Sequence, residues 1–547
     1  MTSTPHKYEK TRVRIEARAA VCRSALALAL VFLGSGCQQL FAQKAAVPPS
    51  RKLPAAEKVV DNYLKAIGGK KRVAMIRDAA YDWTIDLNRQ TMGKARTQTK
   101  TPGSMRTEMT FGNGQIISAA NASSAWVYGL DGVLRTLTGP EAAAARLQAL
   151  LEASHLVDYK KLNVLARVVS VSDLDAAPAY VVDFSTRNGA RMRYWFSLSN
   201  KLLVKIEDDA RKTTTRFSDY RADGTGTALL EPHRVGFSTG LNTGGAGELT
   251  FLLQQVSYNA GLADSAFDPP QATEALDVPA LLREVGRNQD EVEKRVTEYA
   301  FMQKETDREI SDKGEVRKET VKVSEVFPVA HREPIMKLIS ENGVALSTER
   351  AAKEEKRVQE EFLKAERDQG KNEEKAERRR AEREKKGQDD DPELSQFLKA
   401  CEFVSPRREL FRDRNAIVFD FRPRPGFKAG NRQESLISKL VGVVWIDPVD
   451  KQIMRLEAKL AEGFKMAGGL LLSLRPGAGF VMEQTRMVEG VWLPRLAQIN
   501  LSVKVLLFGG GDFNKSIEWS DYKHFKGDVG DYKLDAPKAT DVPNKKP

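Results

Sequence analysis

Bond-making chemistry in this 547-residue chain would have to draw on five histidines, three cysteines and scattered carboxylates. A metal site needs ligands at helical or loop spacing, as in two histidines one helical turn apart. His6, His155, His233, His331 and His524 stand far apart, and none lies in such a pattern. The glycine runs GLNTGG (240–245) and GGLLLSLRPGAG (468–479) lack the Gly-Lys-Ser/Thr ending and the strand-to-helix setting of a phosphate loop. No G-x-S-x-G nucleophile elbow is expected. Asp208 and Asp209 fall in a turn region and read as surface. Cys401 sits in SQFLKACEF with Leu394, Phe397 and Leu398 at helical spacing, which predicts a buried structural thiol. These residue types point away from an enzyme and call for no metal or cofactor.

The elements around them follow from periodicity. Val59, Val60, Tyr63, Leu64 and Ile67 recur at three- and four-residue intervals, predicting a helix over 54–67 that Gly68-Gly69 stops. Period-two runs follow: AAYDWTIDL, SMRTEMTF, QIISAA and SAWVYGL, with turn residues between them. Gly139-Pro140 opens a helical stretch, EAAAARLQALLEASHL. Strands resume at AYVVDF, and PheAspProPro (267–270) closes this part.

One phrase occurs twice. YWFSLSNKLLVKIE (194–207) and VWIDPVDKQIMRLE (444–457) align without a gap. Trp195 then matches Trp445, Lys201 matches Lys451, Lys205 matches Arg455, and Glu207 matches Glu457. YVVDF is echoed by IVFDF, and Pro232 stands opposite Pro494. ELTFLLQQVSY takes the place of NKSIEWSDY, and Asn342-Gly343-Val344 mirrors Asp131-Gly132-Val133. In the second half, Glu291–Phe301 reads as helix and VRKETVKVSEVFPV as strands and turns. The order of elements predicts a tandem duplication of an α+β unit, an antiparallel sheet with helices inserted in its middle.

The expected organisation is a leader over 1–42, a first unit over 43–275, a second over 276–535, and a disordered tail over 536–547. The leader has a basic start, an apolar run SALALALVFLGSG and small residues near its end, the pattern of a secretory signal. That run is too short to span a bilayer, which takes about 20 residues. Release after Ala42 would put the mature protein in the periplasm. The alternative is acylation of Cys37, which would anchor it to the outer membrane.

A charged insertion lies at about 349–390. Its acidic and basic residues interleave at helical offsets such as Glu360/Lys364, and apolar residues are too few for a buried stripe. It reads as a solvated helix or hairpin, with Asp391 as N-cap of the next helix. The net charge is +12, yet acidic neighbours nearly balance Arg378-Arg379-Arg380. No nucleic-acid partner is expected.

EKVVDNYLKAIGG, YVVDF, RMRYWFSLSNKLLVKIE, TTRFSDYR and ELTFLLQQVSYNAGLADSAFDPP, in that order, resemble the LolA/LolB lipoprotein-sorting superfamily over about Ala55–Pro270. The second half is similar more weakly, through IVFDF, VWIDPVDKQIMRLE and GVWLP. The resemblance implies two half-open antiparallel β-barrels with helices as lids. It implies a non-catalytic periplasmic carrier of lipid or lipoprotein acyl chains, with inner- or outer-membrane proteins as possible partners. The alternative is an envelope sensor or protein-interaction module on the same fold. A curled sheet with such an inner face offers a concave apolar site. Trp83, Met105, Met109, Trp126, Tyr128, Tyr194 and Phe196 are the candidate lining residues. Along 193–198, Tyr194 and Phe196 point opposite to Arg193 and Trp195, and the sequence leaves open which face is inside.

Overall fold

The computed structural model describes residues 53–239, 248–272, 276–311, 316–329, 333–385, 392–466, 472–487, 490–505 and 509–524. The leader, Cys37, His6, His331, Asp391 and the tail lie outside them.

Helix α1 (Ala56–Ala66) forms where expected. Ala56, Val59, Val60 and Leu64 are its buried stripe. It ends because Gly68 and Gly69 take φ of +126° and +106°, which lets the Gly69 amide cap the Leu64 carbonyl at 2.8 Å.

Strands β1 (Asp78–Leu87), β2 (Gln90–Lys100), β3 (Ser104–Phe111), β4 (Gly114–Ala120), β5 (Ala125–Tyr128) and β6 (Leu134–Thr136) run as one meander. Helix α2 (Gly139–Ala153) follows, with Pro140 in its first turn, where the missing amide costs nothing. A second meander then runs through β7 (Leu165–Leu174), β8 (Ala177–Ser185), β9 (Arg191–Ser197), β10 (Leu203–Asp208), β11 (Thr213–Ala222), β12 (Leu230–Thr239) and β13 (Leu249–Tyr258). β13 returns to pair antiparallel with β1, so the sheet order is β6-β5-β4-β3-β2-β1-β13-β12-β11-β10-β9-β8-β7.

The second unit begins with α3 (Val278–Val296). Strands β14 (Tyr299–Ile310), β15 (Val316–Phe327), β16 (Ile335–Glu341) and β17 (Val344–Ala345) come next, then helices α4 (Thr348–Lys385) and α5 (Pro392–Ala400). β18 (Cys401–Phe411), β19 (Arg414–Pro423), helix α6 (Arg432–Ile437), β20 (Leu440–Asp447) and β21 (Gln452–Leu460) follow. A short pair, β22 (Phe464–Met466) and β23 (Leu472–Leu474), precedes β24 (Gly479–Arg486), β25 (Trp492–Val505) and β26 (Gly509–His524). The main path is β17-β16-β15-β14-β26-β25-β24-β21-β20-β19-β18. Strand for strand this repeats the first sheet, without counterparts of β5 and β6. Both sheets are open and antiparallel, with helices on one face: an α+β architecture of half-open barrels.

The repeated phrase is a repeated hairpin. Trp195 pairs with Lys205 across β9–β10, and Trp445 with Arg455 across β20–β21. Each cation lies over its indole, at 4.6 and 6.0 Å from the ring centroid. Each also holds the carboxylate two residues on, Lys205 to Glu207 at 2.5 Å and Arg455 to Glu457 at 2.7 Å. Residues i and i+2 share a face of a strand, so one spacing rule fixes all three contacts. Lys201 and Lys451 both have positive φ in the turn. Tyr194 and Phe196 point the other way, into the core with α1; the Tyr63 and Phe196 ring centroids are 5.4 Å apart.

Three expectations are corrected. The helix read over 291–301 is α3, and Tyr299 already begins β14. Its start is set by Asp277, whose carboxylate accepts from the Ala280 amide at 2.9 Å, and by the buried stripe Val278, Leu281, Leu282 and Val285. Asn342-Gly343 turns β16 into β17, the place of Gly112–Gly114 in the first sheet; Asp131-Gly132 serves β5–β6, which the second sheet lacks. The charged insertion is a helix, as its ion pairs Glu349–Lys353 (2.8 Å) and Arg357–Glu361 (2.7 Å) would have it. It is not wholly solvated, however. Val358, Phe362 and Ala365 are buried against Phe327, Val329 and Ile335. Three apolar residues at i, i+4 and i+7 suffice for one stripe.

Candidate ligand-binding site

The concave face of the first sheet is covered by α1 and α2. Trp83, Tyr194 and Phe196 belong to this core, and Met105 packs against the alanines beneath α2. Met109 lies four residues further along the Met105 face of β3. Trp126 and Tyr128 lie on the opposite face with Ile117, Ala119 and Leu134. There the Trp126 indole donates to the Phe267 carbonyl at 3.2 Å, so the closing segment of the unit seals it. Period-two alternation placed both residues on one face, and the register of β5 makes that face the outer one.

The concavity is more polar than its sequence suggests. Glu231 accepts from the Tyr258 hydroxyl at 2.7 Å and from Tyr81 at 3.4 Å. Tyr194 Oη and Trp83 Nε1 are buried with no hydrogen-bond partner among the described residues. Burial pushes Glu231 up to about 7, with Asp223 adding to the shift and the Tyr258 and Tyr81 hydroxyls opposing it. Burial, with Glu231 nearby, likewise holds Glu152 at about 7. Burial alone holds His155 at about 4.

The signs give a pH dependence. Unfolded, the two carboxylates titrate near 4.5, so between there and about pH 7 the folded chain binds more protons and loses stability as pH rises. His155 works oppositely between about pH 4 and 6.5. Above pH 6.5 the carboxylates act alone. Stability therefore falls from pH 6 to pH 8. Glu231→Gln keeps an acceptor for Tyr258 and is expected to recover about 1 kcal/mol of that fall. Urea unfolding of both proteins at the two pH values checks this, and an unchanged fall would refute it.

A cavity of about 370 Å³ lies between α2 and the second sheet. Helix α2 is buried around its whole circumference, as a helix apolar on every side must be. Ala142, Ala145 and Ala149 pack on Ala120 and Ala125. Leu147 and Leu151 enter the first core. Ala143, Arg146 and Leu150, at i, i+3 and i+7, present the third face to the cavity. The far wall includes Val441, Lys459, Leu460, Ala478 and Leu501 of the second unit. Asn514 closes one end by donating to the Arg187 carbonyl at 2.9 Å. Gly103 lines the cavity, and a Cβ there would come within 2.5 Å of Leu150 Cδ2 and make that side chain shift. None of the seven residues expected from the sequence lines this cavity.

Its charged residues were not foreseen either. Arg146 is the sole charged residue between Glu141 and Glu152, a signal the sequence did carry. It lies 3.8 Å from Glu457 across the junction. A second polar contact binds the edges of the two sheets. Arg407, Asp420 and Glu409 are buried together, with Arg407 at 3.0 Å from Asp420 and 2.6 Å from Glu409. Thr136 and Ser124 of the first unit reach in: the Thr136 amide donates to Glu409 at 2.7 Å and the Ser124 hydroxyl to Asp420 at 2.5 Å.

Other sequence features resolve simply. Cys401 is buried, and burial pushes its thiol up to about 12. GFSTG (236–240) spells the letters of a nucleophile elbow, but Ser238 lies within β12, opposite Thr214, and not on a turn.

The geometry defines a pair of half-open antiparallel barrels in tandem with a cavity between them. No family model matches the chain, and no curated protein matches it in sequence. Among solved structures it is similar to a DUF1329 family protein from Desulfovibrio piger, at 13% identity over 40% of this chain and 98% of that one, with a TM-score of 0.27. It is similar to a LolA superfamily protein from Nitrosomonas europaea at 12% identity over 40% and 99%, TM-score 0.28. It is also similar to the MucA/MucB complex of Pseudomonas aeruginosa at 9% identity over 84% and 94%, TM-score 0.16.

Proposed function

We propose that the protein is a non-catalytic binder and carrier of acyl chains in the cell envelope, exported by its leader to the periplasm. The observation that supports this reading is the cavity of about 370 Å³ walled by α2 and the second sheet, with Ala143, Leu147, Leu150 and Leu501 in its lining. At about 30 Å³ per water-sized group it has room for roughly a dozen methylenes, one acyl chain and not two. At about 0.8 kcal/mol per buried methylene, such a chain contributes on the order of 10 kcal/mol before ordering costs. Binding then needs no covalent step, and release follows from a shift in how the units sit on each other.

The test is uptake of a fluorescent single-chain fatty acid by the mature protein, read by emission change and native mass. The expected outcome is one saturable site per chain. Lipid-free mass together with no uptake would contradict the reading.

A further inference from the structure

Cations outnumber carboxylates around the cavity. Lys459 and Arg146 both line it. The carboxylate nearest to both, Glu457, already accepts from Arg455 at 2.9 Å, and Arg146 stands off it at 3.8 Å. Asp420, the other carboxylate acting on Arg146, is taken by Arg407 at 3.0 Å. Lys459 is half-buried and makes no hydrogen bond or ion pair within 4 Å through its ammonium among the described residues. A buried ammonium without a counter-ion is costly, and such sites are usually paired. Its cross-strand partners are Val441 and Gly479, neither of which carries a charge.

We infer that the cavity takes a single-chain anionic amphiphile, its hydrocarbon along Ala143, Leu147, Leu150 and Leu501 and its anionic head against Lys459 and Arg146. This rests on the acyl-binding reading and names the class of ligand. The shared chemistry is an acyl or alkyl chain ending in an anion, a carboxylate as in a free fatty acid or a phosphate as in a lysolipid. Burial holds the Lys459 ammonium well below its usual range, Arg146 adds to the shift and Glu457 opposes it. A bound anion opposes this shift.

The experiment titrates the full chain with dodecanoate, dodecyl phosphate and dodecanol by calorimetry. The expected result is that at least one anion binds ten-fold or more tighter than dodecanol. Which anion is favoured separates the carboxylate from the phosphate source. Lys459→Met should remove that preference, bringing the favoured anion to within about two-fold of dodecanol, and Lys459→Arg should keep it. The wild-type comparison stands even if Lys459→Met does not fold. Equal binding of all three ligands overturns this inference alone. No binding of any of them overturns the acyl-binding reading and this inference with it.

Discussion

Arg407→Ala lowers the stability of the chain by about 3–5 kcal/mol and loosens one sheet from the other. The side chain is 2% exposed and stands between Asp420, at 0%, and Glu409, at 3%. Its removal leaves two buried carboxylates without a cation. Burial already pushes Asp420 up, and Arg407 is the main group opposing that, ahead of the Ser124 hydroxyl. The guanidinium also donates to Thr136 Oγ1 at 2.6 Å, which ties the β6 edge of the first sheet to the β18 edge of the second. A lysine has no planar fork, so Arg407→Lys should recover part of the loss and not all of it. Urea unfolding at pH 7 measures the effect. A loss under about 1 kcal/mol would mean that the cluster joins nothing of consequence.

The second large effect is on binding. Ala143→Trp places an indole in the cavity from the α2 wall and is expected to reduce uptake of a single-chain fatty acid at least 100-fold. Ala143 lines the void at the edge of the first core, so the new ring fills existing space and need not displace Leu147 or Leu151. Stability should therefore hold or rise slightly, as for other cavity-filling changes. Trp126→Leu is the useful contrast. Trp126 sits on the outer face under Phe267, so its loss should cost stability by leaving a cavity while uptake persists. Uptake that survives Ala143→Trp and disappears with Trp126→Leu would move the site to the other face.

Much of the fold was legible because sheets write their periods locally. The Trp-Lys-Glu hairpin is set by i and i+2 contacts on one strand pair, so its repetition at 444–457 announced the second unit. The cavity was not legible. Its walls come from residues hundreds of positions apart, such as Arg146 and Glu457. The alanine run of α2 signalled a helix but not that a second sheet would cover its far side. Alternation likewise could not tell the inner from the outer face of β5, where Trp126 and Tyr128 cluster with Ile117 and Ala119. The carboxylates Glu152 and Glu231 meet only once α2 and β12 fold over the same concavity, and neither stands in a motif.

The most direct measurement is photo-crosslinking with a diazirine-bearing C12 fatty acid, followed by peptide mapping on the intact chain. The account predicts adducts on the peptides carrying Ala143–Leu150 and Leu460–Ala478, on both walls of the cavity. Adducts confined to α1 and β9, or none above a dodecane-competed background, would contradict it.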